Sequence, residues 1–172
     1  DAGAKVINIG MGPTPMTYFA HYHLEADAVI MVTGSHNPSE YNGFKMVLAK
    51  HSFYAEDIQS LQKIIDQASI KLAQGEIINK DIKLDYTKRL LQNINLNKKI
   101  KIAWDIGNGA MGAVIKEITD NLKNSENILI NEKVDGNFPN HHPDPTVPEN
   151  MAQLIKVVED NNCDIGLAFD GD

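Results

Sequence analysis

The chain alternates short, apolar, β-prone runs with amphipathic helical stretches, and glycine, proline or asparagine punctuates most of the junctions. This alternation restricts the fold more than any other feature, because strands that alternate with helices build mostly parallel sheets covered by helices. The pattern is sharpest at Ile100 to Ile106, an apolar run that enters Gly107-Asn108-Gly109-Ala110-Met111-Gly112 and then a helix carrying Val114, Ile115, Ile118 and Leu122. A G-x-G-x-x-G turn also occurs in dinucleotide folds, which require an acidic residue about 20 positions on; Glu132 meets that demand only loosely. A tight turn that lets strand and helix pack closely is the preferred reading.

The same periodicity predicts strands over Val6-Ile7-Asn8-Ile9, Ala28 to Val32, Phe44 to Leu48, Ile128-Leu129-Ile130 and Asp164 to Phe169. Helices are expected from Met16 to Leu24, entered through Thr14 as cap and Pro15 in the first turn, from Glu56-Asp57 onward, from Leu84 to Ile94 and from Glu149 to Asn162. In the second of these, Ile58, Leu61, Ile64, Ile65 and Ala68 recur on one face and are expected in the core; in the last, Met151, Leu154, Ile155 and Val158 are expected to point inward. The periodicity lapses between Gly75 and Lys83, the best candidate for a junction. Two α/β units meeting near residue 80 follow, with no internal repeat.

The 172 residues and 42% apolar content allow a real core, and 16 basic against 23 acidic side chains leave a formal charge of −7. That balance argues against nucleic acid or an anionic membrane as partner. No apolar run is long enough for a membrane-spanning helix, and the start lacks the pattern of a signal peptide. A single cysteine, Cys163, favours a reducing, cytoplasmic setting and is expected to be a buried small residue. The absence of an initial methionine, and an end directly after a strand-like run, suggest that both termini are cuts through a larger protein.

The most chemically loaded stretch is Thr33-Gly34-Ser35-His36-Asn37-Pro38-Ser39-Glu40-Tyr41-Asn42-Gly43-Phe44-Lys45, a loop between two predicted strands. Three readings of Ser35 remain open here: a hydrolase nucleophile, a phosphate-binding or phosphate-carrying hydroxyl with His36 and Lys45 balancing charge, and a turn serine bonding its own backbone. The first lacks the second glycine of a G-x-S-x-G elbow. At the other end, Asp170-Gly171-Asp172 puts two carboxylates beyond a strand, where they can turn toward one hard cation, although Asp-Gly-Asp also makes ordinary turns. His21 and His23 lie two apart, on different helical faces, and are expected to face solvent rather than a metal. The segment from Val134 to Pro148 holds four of the seven prolines and predicts a stiff extended loop. Within it His141, His142 and Asp144 invite a metal reading, but adjacent histidines diverge in extended backbone, so structural hydrogen bonding is expected.

Taken together, Thr33-Gly34-Ser35-His36-Asn37-Pro38 with Tyr41 to Lys45, Gly107-Asn108-Gly109, Asn137-Phe138-Pro139-Asn140-His141-His142-Pro143-Asp144-Pro145 and Gly166 to Asp172 resemble the α-D-phosphohexomutase superfamily. The likeness is nearest to its bacterial phosphomannomutase/phosphoglucomutase branch and runs over essentially the whole chain; Gly12-Pro13-Thr14-Pro15 also resembles the family's first-domain turn. It implies two consecutive three-layer α/β/α units with mostly parallel, mixed sheets, residues 1–79 from domain 1 and 80–172 from domain 2. It implies that Ser35 is a phosphoserine that hands its phosphoryl group to a hexose 1- or 6-phosphate and recovers the other group from a hexose 1,6-bisphosphate. His36 and Lys45 match active-site residues, Lys45 in acid-base or charge-stabilising work, and Asp170 and Asp172 match the first two aspartates of a Mg²⁺ loop that also uses the serine phosphate.

The chain departs from the family by ending before the third aspartate and the arginine of that loop, and by lacking the start of domain 1 and the third and fourth domains. The isolated chain is therefore expected to be inactive. Phosphoglucosamine mutase is the enzymatic rival, and a non-catalytic sugar-phosphate-binding remnant is the rival of another class.

Overall fold

The computed structural model describes residues 2–67 and 72–172, which form an α/β structure with three sheets. A parallel pair joins β1 (Lys5–Asn8) to β5 (Glu76–Asn79), in register Lys5 to Glu76. An antiparallel sheet runs through β2 (Ala28–Thr33), β3 (Gly43–Leu48) and β4 (His51–Phe53). The third sheet is parallel, in the order β7-β6-β8, with β6 (Ile100–Asp105) between β7 (Ser125–Ile130) and β8 (Ile165–Ala168). Five helices complete the described residues: α1 (Thr14–His23), α2 (Glu56–Gln67), α3 (Lys83–Leu91), α4 (Ile115–Asn121) and α5 (Ala152–Asp160). None is long and apolar enough to cross a membrane.

The central strand β6 explains the core. A parallel strand covered on both faces has no solvent side, so its residues read as a nearly continuous apolar run. Ile102, Ala103 and Trp104 are all buried. Side chains alternate across the sheet, so Ile102, Trp104 and Ile106 join Met111, Val114, Ile115 and Ile118 in one cluster. That cluster also takes in Met16 and Ala20 of α1 and Ile82 and Tyr86 around the start of α3. The glycine-rich turn is tight, as expected: a 3₁₀ segment at Ala110–Ala113 intervenes before α4.

Several expectations fail, each for a packing reason. No residue of α2 is buried: Ile58, Ile64 and Ile65 are 44%, 59% and 64% exposed, and Ala68 lies outside the described residues. The stripe exists, but burial needs a facing layer, and none of the described elements makes extensive contact with α2. His21 does not face solvent. It is almost fully buried because Thr14, Thr17 and His21 share the inward face of α1, whereas His23 reaches Asp85 at the surface. Thr14 is the first helical residue and makes no side-chain cap; Pro13 holds the cap position. In α5, which follows a 3₁₀ turn at Pro148–Met151, Leu154 is buried while Ile155 stays exposed. Glu76–Asn79, inside the stretch where periodicity lapses, is strand β5. Cys163 is only partly buried.

Candidate functional site

The serine loop spans residues 34–42 and links β2 to β3, whose paired ends Thr33 and Gly43 hold its base. Thr33 organises it: its Oγ1 accepts from the Ser35 N–H at 2.8 Å and donates to Asp172 Oδ2 at 2.7 Å. Ser35 sits at φ 55°, a left-handed conformation uncommon for serine that persists only where surroundings hold it. Gly34 is required by the fold of the loop, because a Cβ there would lie 2.8 Å from the Tyr41 carbonyl oxygen.

The second loop, Asp170-Gly171-Asp172, follows β8 and is delivered to the first by close backbone contact. Ala110 donates its N–H to the Gly171 carbonyl at 2.9 Å, and Gly109 permits the approach, since a Cβ there would meet that oxygen at 2.8 Å. On its other side, a Cβ on Gly171 would lie 2.5 Å from the Ser35 carbonyl oxygen. Two side-chain contacts then join the loops. Ser35 Oγ donates to Asp170 Oδ2 at 2.6 Å, and His36 Nδ1 lies 2.7 Å from Asp170 Oδ1, where it donates to the carboxylate.

Lys45, the third residue of β3, donates to both oxygens of Asp172 at 2.8 and 3.1 Å. Burial pushes the Asp172 carboxyl up, but the Lys45 and Thr33 hydrogen bonds and the Lys45 charge outweigh it and hold the group below the usual carboxylate range. The Thr14 hydroxyl makes no hydrogen bond of normal geometry, yet its proximity adds to this stabilisation. The structure thus brings Ser35, His36, Lys45, Asp170 and Asp172 into one constellation.

A third segment closes on it. Residues 131–147 contain no helix or strand, as the prolines predict. His141 Nε2 lies 2.8 Å from the buried carboxylate of Asp105 and its Nδ1 lies 2.9 Å from the His142 carbonyl oxygen, the structural role expected of it. His142 diverges from His141, and its ring packs edge-on against His36 with centroids 5.4 Å apart. Sequence reasoning missed Thr33 and Asp105. Both end strands of the site region, a position that was the available signal for Asp105; Thr33 had only its place beside the serine turn.

The family model for phosphoglucomutase/phosphomannomutase, alpha/beta/alpha domain II, matches residues 84–172, and that for alpha/beta/alpha domain I matches residues 1–71. The chain belongs to the phosphoglucomutase/phosphomannomutase family. It is 45% identical over 172 residues to a phosphomannomutase/phosphoglucomutase of Pseudomonas putida, covering all of this chain and 37% of that relative. A phosphoglucomutase of Neisseria gonorrhoeae is 44% identical over 174 residues, with 38% of its length covered. Among solved structures, a phosphoglucomutase/phosphomannomutase family protein from Burkholderia thailandensis matches with a TM-score of 0.90 at 40% identity, over 99% of this chain and 39% of that one. The chain therefore spans a little over a third of the length of these family members.

Proposed function

We propose that the protein containing this chain is a phosphohexomutase that interconverts hexose 1-phosphate and hexose 6-phosphate, with mannose and glucose as sugars. Ser35 carries the phosphoryl group, and a hexose 1,6-bisphosphate links the two half-reactions. The observation that carries this reading is the 2.6 Å contact of Ser35 Oγ with Asp170, beside a lysine held on Asp172. Phosphoryl transfer depends chiefly on positioning and on positive charge around the moving group. Asp170 orients the serine oxygen and holds the His36 ring through its Nδ1–H, while Lys45 supplies positive charge and acid-base or charge-stabilising work.

The donor set also suits a divalent ion. Asp170, Asp172 and Ser35 present only hard oxygen atoms, which is the chemistry Mg²⁺ prefers, and these three residues would hold it. When bound, Mg²⁺ would neutralise phosphate charge. Lys45 and Thr33 meanwhile orient Asp172, and the Ser35 backbone is fixed by the Thr33 hydroxyl.

Two coarser assignments accompany this reading. We place the boundary between the two units after residue 79, giving 1–79 and 80–172; the pairing of β5 with β1 and the matched ranges 1–71 and 84–172 support it. A metabolic role of this kind belongs in the cytoplasm.

The test uses the full-length protein. Intact mass should show one phosphate that is absent from Ser35→Ala, and turnover of mannose and glucose 1-phosphates should disappear with it. Phosphate mapping to another residue, or turnover that survives the substitution, would overturn the assignment of Ser35. Faster turnover of glucosamine phosphate would move the reading to phosphoglucosamine mutase.

A further inference from the structure

His36, His142 and Asp144 come from two segments more than a hundred positions apart, yet each offers a ligand atom within 4.8 Å of the others. We propose that they form a second cation site, distinct in chemistry from the aspartate loop, that takes a borderline divalent ion of the zinc type.

Two imidazoles and one carboxylate are a zinc-type donor set, whereas Mg²⁺ selects oxygen. A spread of 4.8 Å is within reach of side-chain rotation onto an ion with bonds of about 2.0 to 2.2 Å. The orientation of each ligand is already prepared. His36 donates its Nδ1–H to Asp170, which leaves Nε2 as the ring nitrogen with a free lone pair; a carboxylate on the far side of a ligating histidine is the usual supporting contact. Asp144 uses Oδ1 for the Thr146 N–H at 2.9 Å and the Thr146 hydroxyl at 2.6 Å, so Oδ2 remains. His142 makes no side-chain hydrogen bond among the described residues, and it faces the His36 ring.

The loop itself is held in place. Pro143 between the two ligands is fully buried, and a Cβ on Gly107 would lie 2.8 Å from its Cβ. His141 is tied to Asp105, so His142 is left to diverge toward His36, and the Asp144 N–H bonds the His142 carbonyl at 2.9 Å, a tight turn about Pro143 that keeps the two ligands together. An ion here would share His36 with Asp170 and hence lie one residue from Ser35.

The experiment is Zn²⁺ titration of the full-length protein in excess Mg²⁺, which occupies the oxygen site. One equivalent should bind, with affinity reduced at least about tenfold in His142→Ala and in Asp144→Ala and retained in Asp172→Asn. In wild-type protein loaded with Co²⁺, hyperfine-shifted ring C–H proton signals from two imidazoles should appear, a readout that needs no variant to fold. Absence of saturable binding, binding that survives His142→Ala but not Asp172→Asn, or signals from fewer than two imidazoles overturn the proposal. Binding is read directly, so failure of the mutase reading would leave this test intact.

Discussion

Ser35 Oγ and Asp170 Oδ2 lie 2.6 Å apart although 135 positions separate the residues. That distance is typical of a hydroxyl donating to an anionic oxygen, a charge-assisted bond roughly twice as strong as a neutral one. It ties the loop after β2 to the loop after β8, and its geometry depends on how closely two backbones approach.

Gly171 controls that approach. A Cβ added there would lie 2.5 Å from the Ser35 carbonyl oxygen and 3.0 Å from its carbonyl carbon, and both are backbone atoms that yield poorly. Gly171→Ala is expected to separate the two loops, lowering mutase kcat more than tenfold and stability by about 1–3 kcal/mol. Steady-state kinetics and urea unfolding of the full-length protein measure both. Wild-type kcat in the variant would show that the loops do not need this contact.

Lys45→Met tests the electrostatics at Asp172. With the cation gone, burial dominates and the carboxyl pKa rises, which a ¹³C carboxyl titration in EDTA detects. In the wild type the folded pKa lies below the unfolded one, about 3.9. The group therefore stabilises the fold above that value, and the contribution disappears as pH falls through the folded pKa. The stability gap between wild type and variant should be widest above about pH 4 and should narrow below it; a gap independent of pH contradicts the pairing.

His141→Ala removes one partner of the buried Asp105 carboxylate, which keeps its bonds from the Gly107 N–H and Asn131. The expected cost is about 1–3 kcal/mol. Because His141 anchors the proline-rich loop, amide exchange at Asp144, whose N–H bonds the His142 carbonyl at 2.9 Å, should accelerate. Unchanged exchange would mean that the prolines alone hold the loop.

Leu154→Ala empties a site behind the parallel sheet, where Leu154 is 2% exposed and packs near Gly166. A loss of about 2–5 kcal/mol is expected. Trp104, buried on β6 and bonded to Asn127 at 2.9 Å, reports the transition by fluorescence. Ile155→Ala on the exposed face should cost far less.

Strand β4 shows where local pattern runs out. It follows β3 through Ala49 and Lys50, both at positive φ as a two-residue hairpin of this kind demands, yet neither is the glycine or asparagine that normally marks such a turn. With no turn signal, His51–Phe53 could not be read as a strand. The stripe on α2 and the inward His21 make the same point from the side of packing, because periodicity identifies a face but not what covers it.

The sequence by itself determined the α/β alternation, the stiff proline-rich loop and the residues able to carry chemistry, because apolar period, proline and turn residues act over a few neighbours. Ser35, His36, Lys45, Asp170 and Asp172 were all legible as candidates in this way. Only the tertiary structure decided that Asp170 receives both Ser35 and His36, that Asp172 receives Thr33 and Lys45, and that His142 turns to His36 while His141 turns to Asp105. Those pairings depend on backbone approach at Gly109 and Gly171 across more than a hundred residues, a distance over which local propensity carries no information.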